Sequence, residues 1–107
     1  MIKLDSLDAT KMAENAATAA AMLRALANEH RLMILCQLAA GELSVSALLA
    51  ESPLSQSALS QHLTKLREQK LVETRREGQS VFYSILDPAV AKIIRTLAEI
   101  YCPEAFR

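Results

Sequence analysis

The chemistry most readily read from this chain lies between positions 55 and 65, in Ser55, Gln56, Ser57, Ser60, Gln61, His62, Thr64 and Lys65. Read as a helix, this segment places Leu59, Leu63 and Leu66 on one side, at steps of four and three, and Ser57, Gln61 and Thr64 on another. Amides, hydroxyls and an ammonium donate hydrogen bonds to base edges and phosphate oxygens, and the first two also accept them. An ordinary solvated helix more often carries Glu–Lys pairs four residues apart. A small, neutral, hydrogen-bonding outer face suits a helix pressed into a groove of DNA. Gln56, Ser57, Ser60 and Gln61 are the candidates for base readout, because glutamine can pair bidentately with adenine and serine is tolerant. Ser55 can cap a helix end that faces a phosphate, and Lys65 can reach the flanking backbone. His62 is either another backbone contact or a packing histidine. Downstream, Arg75, Arg76 and Gln79 stand around Gly78, within reach of a phosphate or the minor groove if they form a hairpin. The competing reading is a solvated face and hairpin with no such role.

The elements needed to hold these residues can be placed from caps, breaks and periodicity. Asp8 or Thr10 can open a first helix through the alanine-rich stretch that follows. Met12, Ala16, Ala19, Leu23 and Leu26 step by four, three, four and three along it, a heptad-like seam. In so short a chain that seam is expected to meet another subunit, with its own core as the alternative. Asn28 caps a second helix whose apolar face lies within Arg31 to Ala39, and Gly41 ends it. Ser44 opens a short third helix, Val45 to Ala50, with Ser52-Pro53 as the break behind it. The fourth runs from Ser55 to about Gln69. Two strands follow, Val72 to Arg75 and Ser80 to Ile85, around a tip at Arg76-Glu77-Gly78-Gln79. Asp87-Pro88 starts a last helix with a broad apolar face, which Pro103 stops near Cys102. The fold class is therefore mostly α with a small β-hairpin wing, in the order ααααββα: a winged helix-turn-helix.

Length and composition bound the rest. The 107 residues form one domain, residues 1–107, half of it hydrophobic and with only two Gly. No stretch approaches the roughly 20 apolar residues that span a bilayer. The start, MIKLDSLDAT, lacks an apolar signal core, so a cytoplasmic location is expected. Zero net charge argues at first against a nucleic-acid partner. Its distribution softens this: residues 1–52 hold four Lys/Arg against six Asp/Glu, while residues 53–82 hold five against three. The small positive excess lies in the proposed reading segment.

The run Leu54-Ser55-Gln56-Ser57-Ala58-Leu59-Ser60-Gln61-His62-Leu63, with Leu66 and Leu71-Val72 behind it, closely resembles the ArsR family of bacterial repressors. Leu26-Ala27-Asn28-Glu29-His30-Arg31-Leu32-Met33-Ile34-Leu35 is similar to the same family's second-helix signature. The resemblance covers roughly Ala19 to Cys102. It implies a homodimer joined through the first and last helices, bound to double-stranded DNA at an imperfect inverted repeat.

Many members of that family hold metal through cysteines in a pattern like Glu-Leu-Cys-Val-Cys, where this chain has Glu42-Leu43-Ser44-Val45-Ser46. Serine is a poor ligand for soft metals. A second family site uses Asp and His from the last helix; Asp87 fits, but no histidine follows it. No metal site and no cofactor are expected. Cys36 and Cys102, 66 positions apart, instead resemble the pair of the family's thiol-sensing (HlyU/BigR-like) branch, which responds to oxidants or reactive sulfur by forming a di- or polysulfide. Taken alone, Cys36 beside Leu35 and Leu38 reads as a packing residue, whereas Cys102 at a helix end is expected at the surface. A direct disulfide requires Cα atoms within roughly 7 Å, and a polysulfide relaxes that limit.

The expected function is a dimeric transcriptional repressor whose operator binding is switched by oxidation or persulfidation of Cys36 and Cys102. The alternatives are a family member sensing metal, haem or no ligand, and a winged-helix interaction module without an operator. An enzyme is not expected: a thiol oxidoreductase would want a close Cys-x-x-Cys pair or an activated thiolate.

Overall fold

A computed structural model describes residues 8–106, so the segment before Asp8 lies outside the described residues. Each helix opens where a short polar side chain satisfies its first free amides. Asp8 accepts from the amides of Thr10 and Lys11 ahead of α1 (Ala9–Leu26). Asn28 does the same for His30 and Arg31 ahead of α2 (Glu29–Ala39). Ser44 accepts from Ala47 at the start of α3 (Val45–Ala50), and Ser55 from Ala58 at the start of α4 (Gln56–Glu68). Asp87 accepts from Ala89 ahead of α5 (Pro88–Tyr101), and a 3-10 turn, Pro103–Phe106, follows. Beyond α4 the chain closes a Schellman turn: the Leu71 amide donates to the Leu66 carbonyl at 3.0 Å and the Lys70 amide to that of Arg67 at 2.9 Å. Lys70 sits there at φ +59°, the left-handed position that glycine usually takes.

The sheet has three strands rather than two. β1 (Leu43–Ser44), β2 (Val72–Glu77) and β3 (Ser80–Ile85) are antiparallel in the order β1-β3-β2. β2 runs two residues further than the alternation predicts, so Arg76 and Glu77 pair with Val81 and Ser80. The tip is only Gly78-Gln79, with Gly78 at φ +62°, the pattern of a two-residue hairpin with glycine first.

One face of the sheet joins the helices. Leu26, Ile34, Leu35, Leu38, Leu48, Leu59, Leu63, Leu66, Leu71, Val72, Tyr83, Val90 and Ile94 form the core, and no polar or charged residue is buried with them among the described residues. The leucine row of α4 is thus turned inward, which fixes the direction of its polar row. α1 joins this core only through Met22, Ala25 and Leu26 at its C-terminal end. Its seam residues Met12 and Leu23 are 51% and 58% exposed. The radius of gyration, 15.6 Å, exceeds the roughly 13 Å of a compact chain of this length. No helix among the described residues is long and apolar enough to cross a membrane.

Candidate nucleic-acid interface

α3, the turn behind it and α4 make the helix-turn-helix, and β2–β3 makes the wing. On α4, Gln56, Ser57, Ser60 and Gln61 are all exposed: Ser57 and Gln61 lie on the side away from Leu59, Leu63 and Leu66, Ser60 at its edge, and Gln56 in the first turn, on the leucines' side but at the open end of the helix. The carboxamides of Gln56 and Gln61 make no hydrogen bond with other described residues, so both ends of each are open to a base edge. Ser55 is occupied as the cap, and its Oγ lies 3.3 Å from that of Ser57, which restrains both hydroxyls at the helix entrance. Thr64 shares this face, but its hydroxyl donates to the Ser60 carbonyl at 2.9 Å, so its proton is committed within the helix. Lys65 is exposed, as are Arg76 and Gln79 on the wing.

Two of the predicted residues have intramolecular partners instead. His62 is half-buried on the inner side of α4, where its Nδ1 lies 3.4 Å from an Arg31 guanidinium nitrogen and its ring centroid 5.7 Å from that of His30. An arginine can only donate, so the neutral ring accepts at Nδ1 and carries its proton on Nε2. Partial burial, with the charges of Arg31, His30 and Lys65, lowers the pKa of His62 below its ordinary value. Arg75 is exposed but held: Nε and one terminal nitrogen form a fork with Glu42 at 3.1 and 2.7 Å, and the other terminal nitrogen donates to Glu77 at 2.7 Å.

Arg31 is the residue that sequence reasoning missed. It donates to the Ala25 carbonyl at 2.6 Å and to that of Arg24 at 3.4 Å, so it caps the C-terminus of α1 while touching His62 of α4. One guanidinium therefore ties three helices together. With Arg24 and Lys65 it also borders an open cleft of about 230 Å³ between α1 and α4. The only sequence signal was a cation in the first turn of α2, where helix dipoles favour acids.

The cysteines are both exposed free thiols. Cys102 is at the surface as expected. Cys36 is not the packing residue its neighbours implied: Ile34, Leu35 and Leu38 face inward, and Cys36 shares the outer side of α2 with Met33, three residues earlier. α2 packs on α5, and the pKa of Cys36 is raised first by partial burial and then by the nearby charge of Cys102. Ser44 and Asp87, which stand at family metal-ligand positions, both serve as helix caps.

Comparison with known proteins agrees with this architecture. Residues 28–74 match the family described as bacterial regulatory protein, arsR family. The chain is 50% identical over 92 residues to the transcriptional activator HlyU of Vibrio cholerae, covering 86% of this chain and 85% of that protein. Against the structure of reduced HlyU it superposes with a TM-score of 0.82, at 50% identity over 86% of this chain and 97% of the other. The nodulation protein NolR of Rhizobium meliloti is 52% identical over 88 residues, 82% of this chain and 72% of that protein. The transcriptional repressor BigR of Xylella fastidiosa gives a TM-score of 0.84 at 35% identity, over 90% of this chain and 98% of the other. These relatives are regulators rather than enzymes, and the chain belongs with them to the HlyU/BigR branch of the ArsR family of winged-helix, DNA-binding transcriptional regulators.

Proposed function

We propose that this regulator acts as a homodimeric repressor that reads an imperfect inverted repeat and releases it when Cys36 and Cys102 become linked. The observation that carries the DNA reading is the row of exposed hydrogen-bonding side chains on α4, with the carboxamides of Gln56 and Gln61 making no hydrogen bond to other described residues. Gln56, Ser57, Ser60 and Gln61 contact base edges in the major groove, while Ser55 at the helix start, Lys65, Arg76 and Gln79 contact phosphate or the minor groove. The dimer is supported by apolar surface left uncovered at both ends of the chain. Met12 and Leu23 on α1 and Ile100 (62%) and Tyr101 (76%) at the end of α5 are exposed, more than isolated surface apolar residues require. Two copies then set their α4 helices about one DNA turn, roughly 34 Å, or a multiple of it apart.

The switch is supported by two exposed thiols, one on α2 and one at the end of α5, which packs on it, with the charge of Cys102 felt at Cys36. Linking them removes two protons and two electrons. Hydrogen peroxide accepts these and becomes two waters, leaving a disulfide; an inorganic polysulfide supplies sulfane sulfur to a polysulfide bridge and leaves as sulfide. A cross-link between α2 and α5 pins a dimerisation helix to the domain body and changes the spacing of the two α4 helices. The name of BigR, a repressor, favours repression here; HlyU is named an activator.

Footprinting on the gene's own promoter, with the reduced protein, tests the DNA reading. Protection of two half-sites by a dimer is expected. Protection of a single half-site, or binding that competitor DNA of random sequence removes equally well, would contradict it.

A further inference from the structure

The wing carries an arrangement that DNA contact does not account for. Strand alternation puts Val72, Thr74 and Tyr83 on the core side of the sheet and Arg75, Glu77 and Phe82 on the opposite side. On that outer face Arg75 of β2 is paired with Phe82 of β3, and Phe82 is paired in turn with Ser44 of β1. The Arg75 guanidinium lies over the Phe82 ring, 4.6 Å from its centroid, and reaches across it to the Glu42 carboxylate. Neighbouring strands are about 4.8 Å apart, so one side chain spans the whole width of the three-stranded sheet.

Glu42 stands immediately before Leu43–Ser44, and Ser44 is the cap of α3. The strap therefore joins the wing to the first helix of the helix-turn-helix. All three nitrogens of Arg75 donate to carboxylate oxygens, two to Glu42 and one to Glu77, a planar fork that a point charge cannot reproduce. Glu73 lies on the same outer side of β2. Two carboxylates on the guanidinium and a third on the same face of the strand make this a poor place for a phosphate, whereas Arg76 points to the other side of the strand and has no carboxylate partner among the described residues.

We infer that Arg75 is a positioning residue that straps the wing to Glu42, and that phosphate contact from the wing falls to Arg76. The inference rests on the proposed DNA reading for its effect on affinity, but the strap is measurable without DNA.

The test uses full-length reduced protein and the variants Glu42→Gln, Arg75→Ala, Arg75→Lys and Arg76→Ala. Amide hydrogen exchange across β2 and β3 is expected to speed up in Glu42→Gln and both Arg75 variants and to stay unchanged in Arg76→Ala. Anisotropy titrations on operator DNA at several salt concentrations are expected to show Glu42→Gln and Arg75→Ala binding about three- to tenfold more weakly. Their salt slope should match the parent's, because no phosphate contact is lost. Arg75→Lys should fail to restore the loss, and Arg76→Ala, which removes one phosphate contact from each subunit of the dimer, should lower the slope by about 1.8. Unchanged exchange in Glu42→Gln would overturn the strap whether or not DNA is bound. Tighter DNA binding by Glu42→Gln, a reduced slope in Arg75→Ala, or rescue by Arg75→Lys would return Arg75 to the phosphate. Failure of the parent protein to bind operator DNA would instead remove the DNA reading and leave the exchange result to decide the strap.

Discussion

The helix-turn-helix with its wing and the two terminal helices solve opposite problems. In the first region every element is finished within one chain: α3 and α4 are capped, the leucine row of α4 is buried, and the wing is bound to the α3 entrance through Arg75 and Glu42. In the second, Met12, Leu23, Ile100 and Tyr101 leave apolar surface in water, and only the last turn of α1 reaches the core. One part is built to hold a fixed shape. The other leaves apolar surface uncovered within one chain, and in the proposed dimer a change at that surface moves the fixed shape as a unit. Arg31 is the joint between the two, gripping the end of α1 and His62 of α4 together.

Breaking the finished region should cost the most. Leu63→Ala empties a fully enclosed site and is expected to lower unfolding stability by about 2–5 kcal/mol in chemical denaturation; a loss under about 1 kcal/mol would show that α4 is not anchored as described. Leu23→Glu acts on the unfinished region. It should leave the secondary structure of the chain intact and cost about 2–4 kcal/mol of dimer affinity by sedimentation, with operator affinity falling alongside. A Leu23→Glu protein that remains dimeric would assign that seam to solvent. Gln61→Ala removes a side chain proposed to read a base without touching the core. Operator affinity should drop by about 1–3 kcal/mol while stability moves by less than about 0.5 kcal/mol, and equal weakening on all DNA sequences would make Gln61 a backbone contact instead.

The smallest effect concerns the joint. The folded-state pKa of His62 is lowered, first by burial and then by Arg31, His30 and Lys65. Between that value and the ordinary 6.5, the unfolded chain therefore binds the proton more readily than the folded one. Stability is full above pH 6.5, falls as pH drops through it, and levels off below the folded value. His62→Asn should flatten this part of the stability profile between pH 7 and 5.5. A profile identical to the parent's would mean that His62 titrates as it does in the open chain.

Much of the fold was legible because its signals are local. The limits of α3 follow from Ser44 and from Ser52-Pro53, and the start of α4 follows from Ser55, each an effect over two or three residues. β1 was not legible, since two residues show no alternation and their pairing with Phe82 and Tyr83 is made across the chain. The exposed row of α4 was readable from helical phase, and the same phase argument would have put Cys36 on the outside with Met33; apolar neighbours pointed the other way. What failed to show was partnership. Nothing local in Arg75 announces Glu42, 33 positions earlier, and nothing local in His62 announces Arg31.

The thiol pair is where the two regions are proposed to meet. Partial burial, and then the charge of Cys102, raise the pKa of Cys36 and favour its neutral thiol over the thiolate that attacks. A sulfane-sulfur or peroxide attack should therefore speed up as the pH rises. The most direct measurement is intact-protein mass spectrometry after anaerobic polysulfide treatment and, separately, hydrogen peroxide treatment, with the same samples titrated onto operator DNA. An intramolecular Cys36–Cys102 link is expected, with operator affinity lost in the linked fraction and neither change in Cys36→Ser or Cys102→Ser. Cysteines that stay unmodified, or a linked protein that binds its operator as tightly as the reduced one, would contradict the switch.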